Sequence, residues 1–334
     1  MPENPVGLAV ASSLAPEQVG EVAALAENLG FGELWIPEDY WYLGSIACLV
    51  RALSATETIP VGVGVMSALV RHPAVAAMEI AAAERMFPGR VRPGIGLGVP
   101  EIVSKMGIKP RSSLGAVRES VAILRTLLSG KAYTEPAGQF EADNIQLTHP
   151  PHSVPPIHLG VLGEKMLQLS GEIAEGTVVS AMASPAYLRW LRARIAEGEA
   201  RRTTKPTRQH RVPAFAMYCV DSDTAAARAV VRPLVSLYLS FLSRSPLVTV
   251  NPFGPEVQEL CDRGGAELIG KEMPDAWLDE LTVAGDPATC AERIGALLDA
   301  GADSVVLMPV RTDDLETTLR RTADEVLPLV RSGA

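Results

Sequence analysis

The sequence predicts an α/β protein, a single (β/α)8 TIM barrel with insertions after its fourth and seventh strands. Three observations predict it. Short β-branched runs alternate with longer helical runs eight times along the chain. Parallel strands need helical crossovers, so this alternation implies a parallel sheet. The chain has 334 residues, and a barrel of about 250 residues leaves room for two extra segments. Those segments are 131–151 and 223–282, where the strand–helix rhythm breaks. A doubly wound sheet is the competing architecture. No linker or low-complexity tract divides the chain, so residues 1–334 read as one domain.

Each unit carries its own signals. "VGLAVA" (6–11) reads as strand one, and 16–30 as its helix, opening near Pro16 and closing at Gly30. "ELWIPE" (33–38) is strand two, with a helix over 45–57. "VGVGVM" (61–66) is strand three, with a helix over 73–87. "VRPGIGLG" (91–98) is strand four, with a helix over 113–130. The piece 131–151 has apolar spacing for a short hairpin at most. "PIHLGVL" (156–162) and 164–175 form unit five, and 176–182 and 184–202 unit six. "VPAFAMYCV" (212–220) is strand seven, followed by a long helical insertion over 223–282. A helix over 287–301, strand eight over 304–310 and a closing helix over 313–331 complete the pattern.

Composition narrows the function. The net charge of -9 disfavours nucleic acid and anionic membrane surfaces as partners, both of which want a basic face. Cys48, Cys219, Cys261 and Cys290 show no C-x-x-C spacing and no neighbouring histidine. They read as reduced, mostly buried thiols of a cytoplasmic protein, with no metal site and no disulfide framework. "MPENPVGLAV" lacks the basic region and apolar run of a signal peptide, and no apolar stretch approaches a membrane span.

Gly94, Gly96 and Gly98 follow at every second position in strand four. A dinucleotide fingerprint is G-x-G-x-x-G at the first strand–helix turn, so both spacing and position exclude that reading. In a strand, period two means one face. Strand three repeats the pattern with Gly62 and Gly64. Two neighbouring strands bare on one face would leave a slot for a flat ring; the competing reading is that the glycines only let interior layers pack.

Four segments in order, "ELWIPED" (33–39), "RHPAVAAMEIAAAERMFPGRVRPGIGLG" (71–98), "PIHLGVLGEKMLQLSGEIAEGTV" (156–178) and "TVAGDPATCAERIGALLDAGADSVVLMP" (282–309), resemble the luciferase-like flavin enzymes. These are TIM barrels that use FMN or the deazaflavin coenzyme F420. The nearest likeness is to the F420-dependent branch, which includes methylenetetrahydromethanopterin reductase. The resemblance implies a strand-two acid at Asp39 and a non-prolyl cis peptide at Gly64-Val65 backing the deazaflavin ring. It also implies a phosphate contact at the backbone of Leu162 and Gly163. That last point agrees with the anion affinity of a glycine turn entering a helix. Gly96 and Gly98 are expected beside the ring.

The chain departs from the branch's sugar and alcohol dehydrogenases. Tyr40 stands where they carry a catalytic histidine, and Val99-Pro100 where they carry a glutamate, with Glu101 two residues late. Leu97 stands where bacterial luciferase has a phosphate-binding arginine, which argues against the FMN mode. Asp39, Tyr40 and Glu101 are the proton-donor candidates. Trp41, Met66, His158, Met182, Tyr218 and Arg311 are also expected at the strand C-terminal ends. Lys165, Lys205, Lys271 and Arg311 are candidates for the anionic coenzyme tail. Trp35 reads as core, with Trp41 and Tyr42 as pocket walls. His72, before Pro73 at a helix start, reads as a capping or packing residue rather than a ligand, and His149 and His152 as solvated.

The leading expectation is an F420-dependent oxidoreductase passing hydride to or from a small organic substrate. The alternatives are an FMN-dependent monooxygenase fed by a flavin reductase, and a non-catalytic flavin-binding protein. The family commonly dimerises through helices two and three, and the apolar run 46–53 permits a homodimer.

Overall fold

The computed structural model describes residues 4–203 and 208–332. Its strands and helices, in order, are β1 (Val6–Ala9), α1 (Val19–Asn28), β2 (Leu34–Ile36), α2 (Ser45–Ser54), β3 (Val61–Val63), β4 (Met66–Ser67) and α3 (Pro73–Met86). Then come β5 (Val91–Arg92), β6 (Gly94–Gly96), α4 (Pro100–Lys105), α5 (Ser113–Leu128), β7 (Tyr133–Glu135), β8 (Ala142–Ile145), β9 (His158–Gly160) and α6 (Glu164–Ile173). Next are β10 (Gly176–Val178), α7 (Pro185–Glu199), β11 (Pro213–Val220), α8 (Thr224–Leu242), α9 (Pro246–Thr249), α10 (Gly254–Glu272) and α11 (Asp275–Leu281). The chain closes with β12 (Val283–Gly285), α12 (Pro287–Asp299), β13 (Ser304–Pro309), α13 (Leu315–Arg321) and α14 (Leu327–Ser332).

The fold is α/β with parallel sheets. One sheet runs β12-β11-β13-β1-β2-β3-β5 and a second runs β10-β9-β6-β4, with every neighbouring pair in both parallel. The chain steps from the first sheet to the second at Gly64-Val65 and at Pro93. Bridges Gly176–Arg211 and Val179–Ala214 bring β10 beside β11. The expected hairpin at 131–151 is the antiparallel pair β7–β8, and 223–282 is the helical run α8 to α11.

Helix starts follow local chemistry. Ser112, Ser184, Asp223 and Asp286 cap their helices through side-chain oxygens, and proline opens α3, α4, α7 and α12. His72 caps α3 through Nδ1 on the Ala74 amide at 3.2 Å. His149 and His152 are exposed. Two elements escape the sequence pattern. Residues 99–110 contain the short helix α4, and β12 pairs with the C-terminal half of β11. Both are too brief to show a period. The four cysteines are free, and three are buried. By length and composition α8 is apolar enough to cross a membrane. In this fold it packs on α10, β11 and β12 and buries Val231, Val235 and Leu239.

The bare glycine faces are filled from within the protein. A Cβ on Gly62 would lie 2.4 Å from the Trp35 ring. On Gly96 it would lie 2.7 Å from Val65 Cγ2, and on Gly160 2.8 Å from Val65 Cγ1. On Gly94 it would lie 2.1 Å from the Val63 carbonyl oxygen and 2.9 Å from Val65 Cγ1. Trp35 is buried and meets His158 and Phe215 edge-on at 5.5 and 5.8 Å. The slot expected at Gly62, Gly94 and Gly96 is therefore occupied by Trp35 and Val65, and the packing reading holds there. Gly94→Ala is expected to destabilise more than Gly96→Ala, because its Cβ would lie 2.1 Å from a backbone carbonyl, against 2.7 Å from the movable Val65 side chain and 2.9 Å from the Gly160 carbonyl. The expected costs are above and within about 1–3 kcal/mol respectively, checked by chemical denaturation.

Two buried histidines lie away from the strand C-terminal ends. His158 begins β9, and burial, with Arg92, His210 and Arg211 nearby, pushes it down to about 3. His210 meets Thr177 Oγ1 at 2.8 Å, and burial, with Arg202 nearby, pushes it to about 4. An unfolded chain takes up protons at these imidazoles below about pH 6.5 while the folded chain stays neutral. Their contribution is thus present above that pH and lost as pH falls toward 4. The melting temperature should drop over that window, and His210→Gln should flatten the drop.

Candidate functional site

The segments that follow the strand C-terminal ends enclose a cavity of about 840 Å3. It is lined by residues 9–12 after β1, by Pro37, Glu38, Asp39, Tyr40 and Tyr42 after β2, and by Gly64 and Val65. Residues 97–99, 160–163 and 178–181 line it further, with Phe215 of β11 and Leu237 and Tyr238 of α8. Open strand ends leave backbone groups and loop side chains free to face a ligand, which is why such ends hold sites in α/β folds.

Where β4, β6 and β9 lie side by side the cavity lining carries few side chains. Gly64, Val65, Leu97, Gly98 and Gly160 meet there. Gly98 has φ +76°, and a Cβ on it would lie 3.0 Å from Val103. The Gly64-Val65 peptide is cis, as is Tyr40-Trp41. At one end, Gly163 stands as the N-cap of α6 with no side-chain partner for the helix amides. A Cβ on Gly163 would meet nothing within 4 Å, so this helix end opens into the cavity. Tyr187 fixes the turn by donating to the Leu162 carbonyl at 2.8 Å.

At the other end two adjacent carboxylates have different settings. Glu38 is buried. Arg71 Nη1 donates to both of its oxygens at 2.7 Å, and Tyr40 Oη donates to Oε1 at 3.2 Å. Ser45 also donates to it. Burial works against the Arg71 charge, but its hydrogen bond to Glu38 and the charges of Glu38 and Glu79 outweigh burial and raise its pKa. Burial first, then the charge and hydrogen bond of Glu38, push the Tyr40 phenol up to about 12. Asp39, by contrast, is exposed and takes a hydrogen bond from Ser12. Burial and the Asp39 charge raise the Tyr238 phenol, and both residues line the cavity.

The structure gathers Asp39, Tyr40, Gly64, Val65, Gly98, Leu162 and Gly163 at this cavity. It leaves other candidates outside. Gly96 lies beneath, against Val65. Glu101 is exposed in the first turn of α4, which turns it away, while Val99 and Ile102 face inward. Lys271 is exposed in the last turn of α10, and Lys165 is exposed beyond the lining of α6. Arg311 pairs with Asp221 at 3.6 Å. Lys205 lies outside the described residues. His158 stands at the start of its strand rather than the end. Met66 and Met182 are buried, and Tyr218 is buried with its hydroxyl 2.8 Å from Thr322. Trp41 is outside the lining, whereas Tyr42 belongs to it. Sequence reasoning missed Glu38 and Arg71. The available signal was an acid at the end of a strand and an arginine before a helix cap, which joins up only in three dimensions.

Comparisons with known proteins identify the family and support the fold. The family model described as luciferase-like monooxygenase matches residues 3–304. A 5,10-methylenetetrahydromethanopterin reductase of Methanolobus tindarius is 28% identical over 296 residues, covering 86% of this chain and 89% of the relative. The structure of a coenzyme F420-dependent tetrahydromethanopterin reductase from Methanopyrus kandleri matches with a TM-score of 0.81 at 22% identity, covering 98% of this chain and 99% of that one. An F420-dependent secondary alcohol dehydrogenase in complex with an F420-acetone adduct matches with a TM-score of 0.78 at 22% identity, over the same shares of the two chains.

Removing Arg71 alone would strand the buried Glu38 charge. Arg71→Met is expected to cost about 3 kcal/mol, the low end for breaking a buried pair, because the arginine is partly exposed. The double variant Arg71→Met/Glu38→Gln should recover most of that loss in urea unfolding.

Proposed function

The chain belongs to the luciferase-like monooxygenase family, and on that premise we propose that it is an F420-dependent oxidoreductase moving a hydride between the deazaflavin coenzyme and a small organic substrate. The observation that carries this reading is the cavity's pairing of a side-chain-poor stretch of lining with the open N-terminus of α6. A flat ring needs the first, and a phosphodiester is met by the second. The described lining fits that group. Gly64, Val65, Leu97 and Gly98 would hold the ring, and the Leu162–Gly163 backbone the phosphate. Leu97 offers no cation for an FMN phosphate there.

When bound, the deazaflavin supplies the hydride chemistry. The chain binds, orients and manages the proton. Tyr40 holds a proton at Oη, kept there by burial and by Glu38. Asp39 stands beside it at the cavity edge. Glu101, exposed on α4, is left out of the chemistry.

We read the strand pairings as one closed barrel, β1 to β2, β3/β4, β5/β6, β9, β10, β11 and β13, in a single domain. The bridges between β10 and β11 and the pairing of β13 with β1 support this. The β7–β8 hairpin and α8–α11 are its insertions. We place the protein in the cytoplasm, as a homodimer through α2 and α3. Exposed Val75, Met78 and Met86 along α3 support such a contact.

The test is a pair of fluorescence titrations of the apoprotein, with F420 and with FMN. F420 is expected to bind at least about tenfold tighter, a difference of about 1.4 kcal/mol. Tighter FMN binding, with oxygen consumption on adding reduced FMN, would instead make the chain the oxygenating half of a two-component monooxygenase that needs a flavin reductase. Binding of neither would overturn the reading.

A further inference from the structure

We propose that the substrate end of this cavity selects an uncharged, ring-bearing apolar molecule and rejects anions, with Asp39 as the residue that sets the charge preference. This rests on the F420 reading above for the location of the coenzyme at the α6 end.

The first support is the charge inventory. Among the described residues that line the cavity there is no lysine, arginine or histidine. Arg71 reaches the substrate end through Glu38, a lining residue. Both oxygens of Glu38 consume its Nη1, and Glu79 lies 3.3 Å from its Nε. With Glu38 neutralised in this way, the charge left facing the opening is Asp39, whose hydrogen-bond partner is the neutral Ser12 hydroxyl. A phosphate or carboxylate on the substrate would meet this charge with no counter-charge. At about 8 Å and an effective dielectric of about 20–40, one like charge weakens binding roughly five- to thirtyfold.

The second support is the mouth. Exposed large apolar side chains normally scatter singly, and a cluster marks a binding surface. Trp41 and Tyr42 are 70% and 68% exposed, Val99 52%, Leu237 41% and Phe241 77%. The five belong to three segments, the turn after β2, the N-cap of α4 and the last turns of α8, with Trp41 and Phe241 outside the cavity lining. Tyr42, Val99 and Leu237 are themselves lining residues. The Tyr40 and Trp41 rings lie 5.8 Å apart. Aromatic side chains gain from ring partners beyond simple area burial, so a planar apolar group is the occupant this mouth rewards.

The coenzyme's own negative tail does not conflict with the rule. It is assigned to the Leu162–Gly163 end, where helix amides stand open, away from Asp39 on the β2 side.

The experiment uses two probes with the same ring and carbonyl, 4-acetylbenzoate and its methyl ester. Their binding to the F420-loaded protein is measured by calorimetry at low salt, and F420 binding in the same samples by the coenzyme's fluorescence. The ester is expected to bind at least about fivefold tighter than the anion. Asp39→Asn should narrow that gap by tightening the anion while leaving the ester unchanged. Tyr42→Ala should weaken both probes a few-fold. Equal affinities in the native protein, a gap unchanged by Asp39→Asn, or no binding of either probe would overturn the inference. Loss of F420 binding alone would sink the coenzyme reading instead. The probe comparison, repeated on the apoprotein, would still decide the charge preference.

Discussion

The cavity rests on one steric constraint, the seating of Val65 among three glycines. Gly94, Gly96 and Gly160 leave no room for a Cβ, because Val63, Val65 and the Gly160 carbonyl occupy that space. The Val65 side chain therefore fills the space over these glycines, and Val65 and Gly64 both line the cavity. Trp35 plays the same part over Gly62, and Phe215 closes on Gly64. Interiors pack at crystal-like density, so a lining built this way cannot sag when the ligand leaves. Rigidity comes from the core below, and openness from the absence of side chains at the surface. The two properties need opposite things from a residue, and alternation along a strand delivers both.

The same economy governs charge. Glu38 and Asp39 are neighbours in sequence, and neighbouring strand-end residues point apart. One enters the protein and must be paired, because an unpaired buried carboxylate would cost several kcal/mol. Arg71, Tyr40 and Ser45 supply that pairing. The other stays in solvent, where a charge is cheap to keep. Tyr40 is thereby tied to a carboxylate that cannot leave, and its phenol stays protonated across the working pH range.

Much of this architecture was legible in the sequence. The alternation of short β-branched runs with longer helical runs located the main strands and helices, and Pro16 and Gly30 marked the ends of the first helical segment. The turn at Leu162–Gly163 was legible because a glycine between a strand and a helix has a local meaning. What escaped was relational. Gly62, Gly94 and Gly96 announce a missing side chain, but only the neighbouring strand says what fills the gap. Glu38 and Arg71 lie 33 residues apart in the chain, and nothing local ties them. Glu101 looked like a displaced donor because α4 was not foreseen; once Pro100 starts a helix, the side chain in its first turn points away. Lys271 and Arg311 were guesses from charge alone, and surface cations usually stay in water or pair nearby, as Arg311 does with Asp221.

The polarity of the cavity follows from how its two ends are made. The α6 end is built from backbone: a strand, a glycine turn and helix amides without a side-chain cap, and those amides carry partial positive charge that sequence variation leaves in place. The β2 end is built from side chains on loops and on α8, and every one of them can change without disturbing a strand. A fixed anion-seeking end beside a variable end separates what binds a common coenzyme from what chooses a substrate. In this chain Arg71 is held by Glu38, and the rim of the variable end carries the aromatic and aliphatic side chains of Tyr42, Val99 and Leu237. Its preference is therefore written by what it lacks, a free cation, as much as by the rings it presents.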